Sequence, residues 1–167
     1  MFTRLNNCLY LFVIVFISIH LPGSLSWPSG APENACNTLS PGHGANRPKS
    51  PSSSPFVIIQ SHSDYKTGDS VQVMVKAPEG LSFRGMMVQA YDPSTGQTIG
   101  KWQEGRGLKM INSCSAVSHS DRRGKRSATL VWDAPEDRQS GKVAFRGTIV
   151  QRYSEFYEGL ESTLSQQ

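Results

Sequence analysis

From residue 56 onward, apolar and polar positions alternate in short bursts separated by turn residues. Phe56 to Gln60 (FVIIQ) is a β-branched run, and Tyr65-Lys66-Thr67-Gly68-Asp69 has turn chemistry, with Gly68 available for positive φ. Val71, Val73 and Val75 then alternate with Gln72, Met74 and Lys76, the period of two that a strand with one buried face requires. Ala77-Pro78-Glu79-Gly80 ends that strand. Further strands are expected at Phe83 to Tyr91, Thr98 to Trp102, Ser127 to Trp132 and Lys142 to Tyr153. Their separators carry Asp92-Pro93, Gly96, Gly105, Gly107, Pro135 and Gly141. Nowhere do apolar residues recur at helical spacing over three turns. Seven or eight short strands over roughly 110 residues predict an all-β chain, folded as an antiparallel β-sandwich.

The N-terminal third follows other rules. Leu9 to Leu21 (LYLFVIVFISIHL) is an apolar run of 13, with Arg4 before it and Pro22-Gly23 after it. A membrane-spanning helix needs ~20 apolar residues, so this run fits the core of a secretory signal peptide. Ser24 and Ser26 place small side chains where a signal peptidase reads, which predicts a signal peptide over 1–26 with cleavage after Ser26. From Asn37 to Pro55, 11 of 19 residues are Ser, Pro or Gly, so no regular element is expected there. The expected organisation is an irregular Pro/Ser/Gly-rich arm over 27–55, a β-sandwich body over 56–162 and a tail over 163–167.

Composition narrows the function classes. The net charge of +4 falls to +3 once Arg4 leaves with the signal peptide. That is well short of a nucleic-acid binder, and an exported protein rarely meets nucleic acid. No second long apolar run follows, so a soluble, secreted, extracellular monomer without a transmembrane segment is expected. Cys8 would leave with the signal peptide, so Cys36 and Cys114 remain. Two cysteines in an exported chain most simply form one disulfide; the alternatives are two free thiols or an intermolecular bridge. N-x-S/T glycosylation sites are absent from the sequence.

One internal echo stands out. FRGMMVQAY (Phe83 to Tyr91) and FRGTIVQRY (Phe145 to Tyr153) are identical at six of nine positions. Similar packing demands on two central strands account for it. An interior Gly in each marks a bulge or a close backbone approach. Arg84 and Arg146 occupy equivalent places, and if the two strands are neighbours they could form an exposed cationic spot.

The opening WPSGAPENAC (Trp27 to Cys36) followed by LSPGH (Leu39 to His43) resembles the start of the reeler (reelin-like) domain. FRGMMVQAYD, the Cys114-to-His119 stretch CSAVSH, the turn at Trp132-Asp133-Ala134-Pro135 and VAFRGTIVQ (Val143 to Gln151) continue the pattern in order. The resemblance covers the chain from about Trp27 to about Ser162 and implies an immunoglobulin-like β-sandwich. It also implies that Cys36 and Cys114 form a family disulfide. Among reeler proteins the chain is similar to small secreted insect defence proteins, which implies an innate-immune role in encapsulation or nodulation of microbes.

Candidate chemistry is sparse. His43, His62 and His119 fall in the arm, a polar turn and a serine-rich segment beside Asp121, without a strained G-x-S-x-G nucleophile elbow. A catalytic site is therefore not expected, and His119 is assigned a structural hydrogen bond. A metal site from His43 and His119 lacks further ligands at suitable spacing, and no phosphate-binding loop follows a strand. No cofactor is expected. The sharpest local feature is Arg122-Arg123-Gly124-Lys125-Arg126, four cations in five residues. It reads as a solvated loop, as an R-x-K-R processing site, or as a contact for anionic surfaces. The last reading takes Arg122, Arg123, Lys125 and Arg126, with Arg84 and Arg146, as the binding residues. Lipopolysaccharide, teichoic acid and host blood cells are then the expected partners. The competing function is an extracellular matrix or adhesion module that binds a host protein.

Overall fold

The computed structural model describes residues 29–166; the expected signal peptide and Trp27 lie outside the described residues. Eleven strands follow one another: β1 (Val57–Gln60), β2 (Asp64–Lys66), β3 (Ser70–Lys76), β4 (Gly85–Tyr91), β5 (Lys101–Trp102) and β6 (Leu108–Ile111). Then come β7 (Ala116–His119), β8 (Ser127–Asp133), β9 (Ser140–Lys142), β10 (Ala144–Arg152) and β11 (Glu155–Leu164). Each strand expected from the alternation is present; β3 and β8 run one residue longer than expected, and the others are trimmed at one or both ends. The arm, expected to lack regular elements, contains short 3-10 segments at Glu33–Asn37 and Pro51–Ser53.

Nine strands form one sheet in the order β5-β8-β3-β1-β11-β10-β4-β7-β6, and β2 pairs with β9 beside it. Its ladders are antiparallel except one. In the parallel pair β1–β11, Ile58 lies opposite Ser162 and Gln60 opposite Leu164. This departs from the expected sandwich of two antiparallel sheets, because the parallel ladder joins both halves into one sheet that curls around the core. Pairing the first and last strands of the body removes two open edges that would otherwise expose unpaired backbone groups. The β5 edge returns to meet the segment entering β7. There the Trp102 indole N–H donates to Ser115 O at 2.8 Å, and the Ser115 hydroxyl donates to Gly100 O at 2.9 Å. The result is a nearly closed, barrel-like sheet.

Burial follows the sequence periodicity where only one face is covered. In β3, Val71, Val73 and Val75 are fully buried while Gln72 and Lys76 face solvent. Trp132 of β8 sits at the centre with no exposed surface, its ring at 5.3 Å from Tyr65 and 6.0 Å from Phe145, both edge-on. Trp102 is also core, 6% exposed and packed on Phe145. In β4, every residue from Gly85 to Ala90 is buried. The consecutive apolar residues Met86, Met87 and Val88 suit a strand covered on both faces. The inner cover is the core, and the outer cover is the N-terminal arm.

The two FRG strands are indeed neighbours. Their antiparallel register sets Phe145 opposite Ala90, Arg146 opposite Gln89 and Val150 opposite Gly85. Gly147 is required for this close pairing, since a Cβ there would stand 2.4 Å from the Met87 carbonyl oxygen. Antiparallel pairing also sends equivalent positions to opposite ends of the ladder. The expected cationic spot from Arg84 and Arg146 therefore does not form.

Candidate functional site

The arm is held against the outer face of β4, β7 and β10 by contacts along its length. Gly30 adopts φ +97°, and a Cβ would fall 2.1 Å from the His119 carbonyl oxygen, so only glycine lets the chain approach so closely. The next residue donates its N–H to the Ser118 hydroxyl at 3.0 Å, and Lys109 Nζ donates to Ala31 O at 3.0 Å. Cys36 is bonded to Cys114, with Cα atoms 5.9 Å apart. Around this bridge Ala35, Met87, Ile111, Cys114 and Ala116 form a small second core. Further along, His43 is buried against Tyr153 and the edge of Phe156, with centroids at 4.5 and 5.2 Å, and Lys49 N donates to Phe156 O.

Arg146 belongs to this docking rather than to a binding surface. It is half-buried, and its Nε and Nη2 donate to Gln89 Oε1 at 3.0 and 2.9 Å. The Gln89 amide then donates to the carbonyl oxygens of Cys114 (3.2 Å) and Cys36 (3.4 Å), so the guanidinium orients the side chain that holds both bridged segments. Arg146 also stacks over Tyr91 at 4.6 Å. Burial, reinforced by the hydrogen bond to Glu161, pushes the Tyr91 hydroxyl up to about 12.

The basic loop divides in two. Lys125 folds inward: its ammonium donates to Asp121 Oδ1 at 2.8 Å, to Asp121 O at 3.0 Å and to Arg123 O at 2.9 Å. Its backbone exchanges two hydrogen bonds with Phe83, at 3.0 and 2.8 Å. Lys125 thus closes the loop and is not an outward charge. Asp121 also pairs with Arg123 at 3.1 Å, and the hydrogen bonds from Lys125 and then Arg123 hold its carboxyl well below the usual carboxylate range. Arg84, Arg122 and Arg126 are exposed and form no ion pair among the described residues.

A pocket of about 280 Å³ opens between the arm and the sheet. Leu39 and Pro41 of the arm, Met86 and Met87 of β4, and Thr148 and Val150 of β10 form its walls. Arg84 and Arg122 join it, so the structure brings together two of the sequence-predicted cations that are 38 positions apart. Arg152, which the sequence reading did not single out, lines it too and pairs with Glu155 at 2.6 Å. His43 and His119 also meet here. The His119 Nδ1 accepts the Met86 N–H at 3.2 Å, in keeping with the structural role expected of it. Among the described residues no group of three or more His, Cys, Asp or Glu is placed to hold a metal. His62 lies outside the pocket, exposed, with its Nδ1 2.9 Å from the Ser61 hydroxyl. No signal in the sequence marked the pocket, because its walls come from segments distant along the chain.

Burial lowers the tendency of His43 to protonate, against the opposing effect of its hydrogen bond to the Tyr153 backbone. The unfolded chain then takes up this proton first as pH falls, so His43 stabilises the fold fully above its ordinary value of 6.5 and loses that contribution below it. Acidification from pH 7.5 to 5 is expected to lower the melting temperature and to expose the arm to protease. His43→Gln should flatten both responses relative to the unsubstituted protein.

Comparison with known proteins fits this architecture. Residues 34–167 match the Reeler domain. The chain belongs to the reeler family. It is 32% identical over 160 residues to "Putative defense protein 1" of Antheraea mylitta, covering 89% of this chain and 91% of that one. With "Putative defense protein 3" of the same moth it shares 29% identity over 92% and 94% of the two chains. It is also 37% identical to a Drosophila melanogaster protein named "Putative ferric-chelate reductase 1 homolog", but spans only 23% of that protein's length. The crystal structure of the human F-spondin reeler domain superposes with a TM-score of 0.55 at 23% identity, over 75% of this chain and 95% of that one. This reeler fold is all-β and disulfide-bonded. Among the described residues no helix is long and apolar enough to cross a membrane.

Proposed function

We propose that this reeler protein is a secreted innate-immune defence factor that attaches to anionic microbial surfaces and acts without catalysis. Its similarity over nearly the full length of two moth proteins with defence names supports the defence role. The observation that carries the surface contact is the exposed trio Arg122, Arg123 and Arg126, with Arg84 beside the same pocket as Arg122. Clustered guanidiniums attract phosphate and carboxylate groups of lipopolysaccharide or teichoic acid, and they form bidentate bonds that lysine cannot. Lys125 and Arg146 are excluded from this surface, since both are engaged internally.

The test is a pull-down of purified protein on whole bacteria, fungi and host blood cells across a salt series. Microbial binding should weaken steadily between about 0.1 and 1 M salt, where the screening length falls from ~10 to ~3 Å. The triple variant Arg122→Gln, Arg123→Gln, Arg126→Gln should bind several-fold less and lose most of the salt dependence. Unchanged binding by that variant sinks the proposal. Binding to host cells or matrix alone would favour the adhesion-module reading, which rests on the fold shared with the F-spondin reeler domain.

A further inference from the structure

We propose that the pocket beneath the arm is a binding site for a hydroxylated medium-chain acyl acid, with the carboxylate held by Arg84 and Arg122. Three independent features of the pocket converge on this ligand class. The first is the wall, where Leu39, Met87 and Val150 present aliphatic and thioether surface that suits a flexible hydrocarbon chain. The second is size. At about 280 Å³ the pocket lies at the small end of the range for small-molecule sites. That suits a single medium-length chain rather than a phospholipid with two long tails.

The third feature is unsatisfied polarity inside an apolar wall. Four buried side-chain polar atoms among the described residues have no hydrogen-bond partner, and two of them, His43 Nδ1 and Thr148 Oγ1, belong to residues that line this pocket. Thr148 is 2% exposed and His43 8% exposed, so bulk solvent does not serve them. Buried polar atoms left alone are rare in native proteins and call for a partner. A hydroxyl on the chain supplies one when the side chains turn to meet it, because it can donate to the imidazole nitrogen and exchange a bond with the threonine hydroxyl. The acid group has its own complement in the two exposed guanidiniums of Arg84 and Arg122, which have no acidic partner among the described residues. Arg152 is already committed to Glu155.

This site shares Arg84 and Arg122 with the surface contact proposed above, but its test needs only the folded protein and a small molecule. The experiment is calorimetric titration with 3-hydroxydecanoate, decanoate and 1,3-decanediol, each below its micelle concentration, with NMR following the Thr148 methyl and His43 ring signals. Saturable one-to-one binding of 3-hydroxydecanoate that shifts both signals is expected, tighter than binding of either comparison compound. Removing one side chain's contribution should cost about tenfold, the size of one lost charge-assisted or buried hydrogen bond. Arg84→Gln with Arg122→Gln, both at exposed positions, should erase the preference for the acid over the diol. Thr148→Val should erase the preference for the hydroxylated over the plain acid. No saturable binding, binding that leaves the Thr148 and His43 signals in place, or a diol that binds as tightly as the acid overturns the proposal. Because none of these measurements involves cells, a failed microbial pull-down leaves them intact, and their failure leaves the surface reading intact.

Discussion

Trp132→Ala is expected to destabilise the protein by about 3–5 kcal/mol, the range for deleting a large buried aromatic side chain. The indole is wholly buried and packs edge-on against Tyr65 and Phe145. It also donates its N–H to Ile99 O at 2.9 Å, on the segment that enters β5. Truncation opens a cavity where both halves of the sheet converge and leaves that carbonyl without its donor, and each effect adds to the other. The backbone at Gly100 packs on the same ring, with φ +67° and a hypothetical Cβ 2.4 Å from the Trp132 ring atoms, so truncation also removes the support under that loop. A loss of this size is a large share of the ~5–15 kcal/mol that holds a typical domain folded. Urea unfolding followed by circular dichroism checks it. Trp132→Phe should cost clearly less, because it keeps most of the volume and loses mainly the N–H. Equal losses for the two variants would mean that the hydrogen bond, not the packing, dominates.

The second large effect is expected from replacing Cys36 and Cys114 with serine together. The bridge closes a loop between residues 78 positions apart, for which the chain-entropy estimate is about 4–5 kcal/mol. The consequence should be local as well as global. The bridge is the covalent tie between the arm and the sheet, and the small core around Ala35, Met87 and Ile111 is built on it. Without it, the arm relies on the Gly30 approach, the Gln89 amide and the packing of His43. The double variant should therefore be cut by protease within 31–55 before the body unfolds, and it should lose 3-hydroxydecanoate binding, since the arm supplies one wall of the pocket. A variant that keeps an uncut arm and a full binding isotherm would show that noncovalent contacts alone seat the arm.

How much of this was legible beforehand depends on how local each signal is. The alternation of Val71, Val73 and Val75 predicts β3 and its inward face directly, because side-chain direction in a strand has a period of two. The β-branched run at Phe56 to Gln60 and the paired FRG segments likewise mark β1, β4 and β10. The longest strand, β11, went unmarked. Its segment EFYEGLESTL breaks alternation at Gly159, which takes φ +70° where the register against β10 shifts between Tyr157 and Leu160. A bulge of this kind inserts one residue and inverts the pattern on either side of it. β2, β6, β7 and β9 are three or four residues long, too short for periodicity to register.

The sequence by itself determined the all-β class, the strands with one covered face, the reeler family through ordered motifs, and the cysteines available to pair. Only the tertiary structure decided what those parts do together. The parallel β1–β11 ladder joins residues about a hundred positions apart, and backbone hydrogen bonds leave no trace in side-chain composition. The antiparallel register of the FRG strands separates Arg84 from Arg146, although their local sequences are nearly the same. Asp121 and two carbonyls turn Lys125 inward, while Arg122, three positions earlier, lines a pocket with Arg84. Formal charge is a property of a residue type, but whether that charge reaches solvent depends on which neighbours the fold brings within about 3 Å of it.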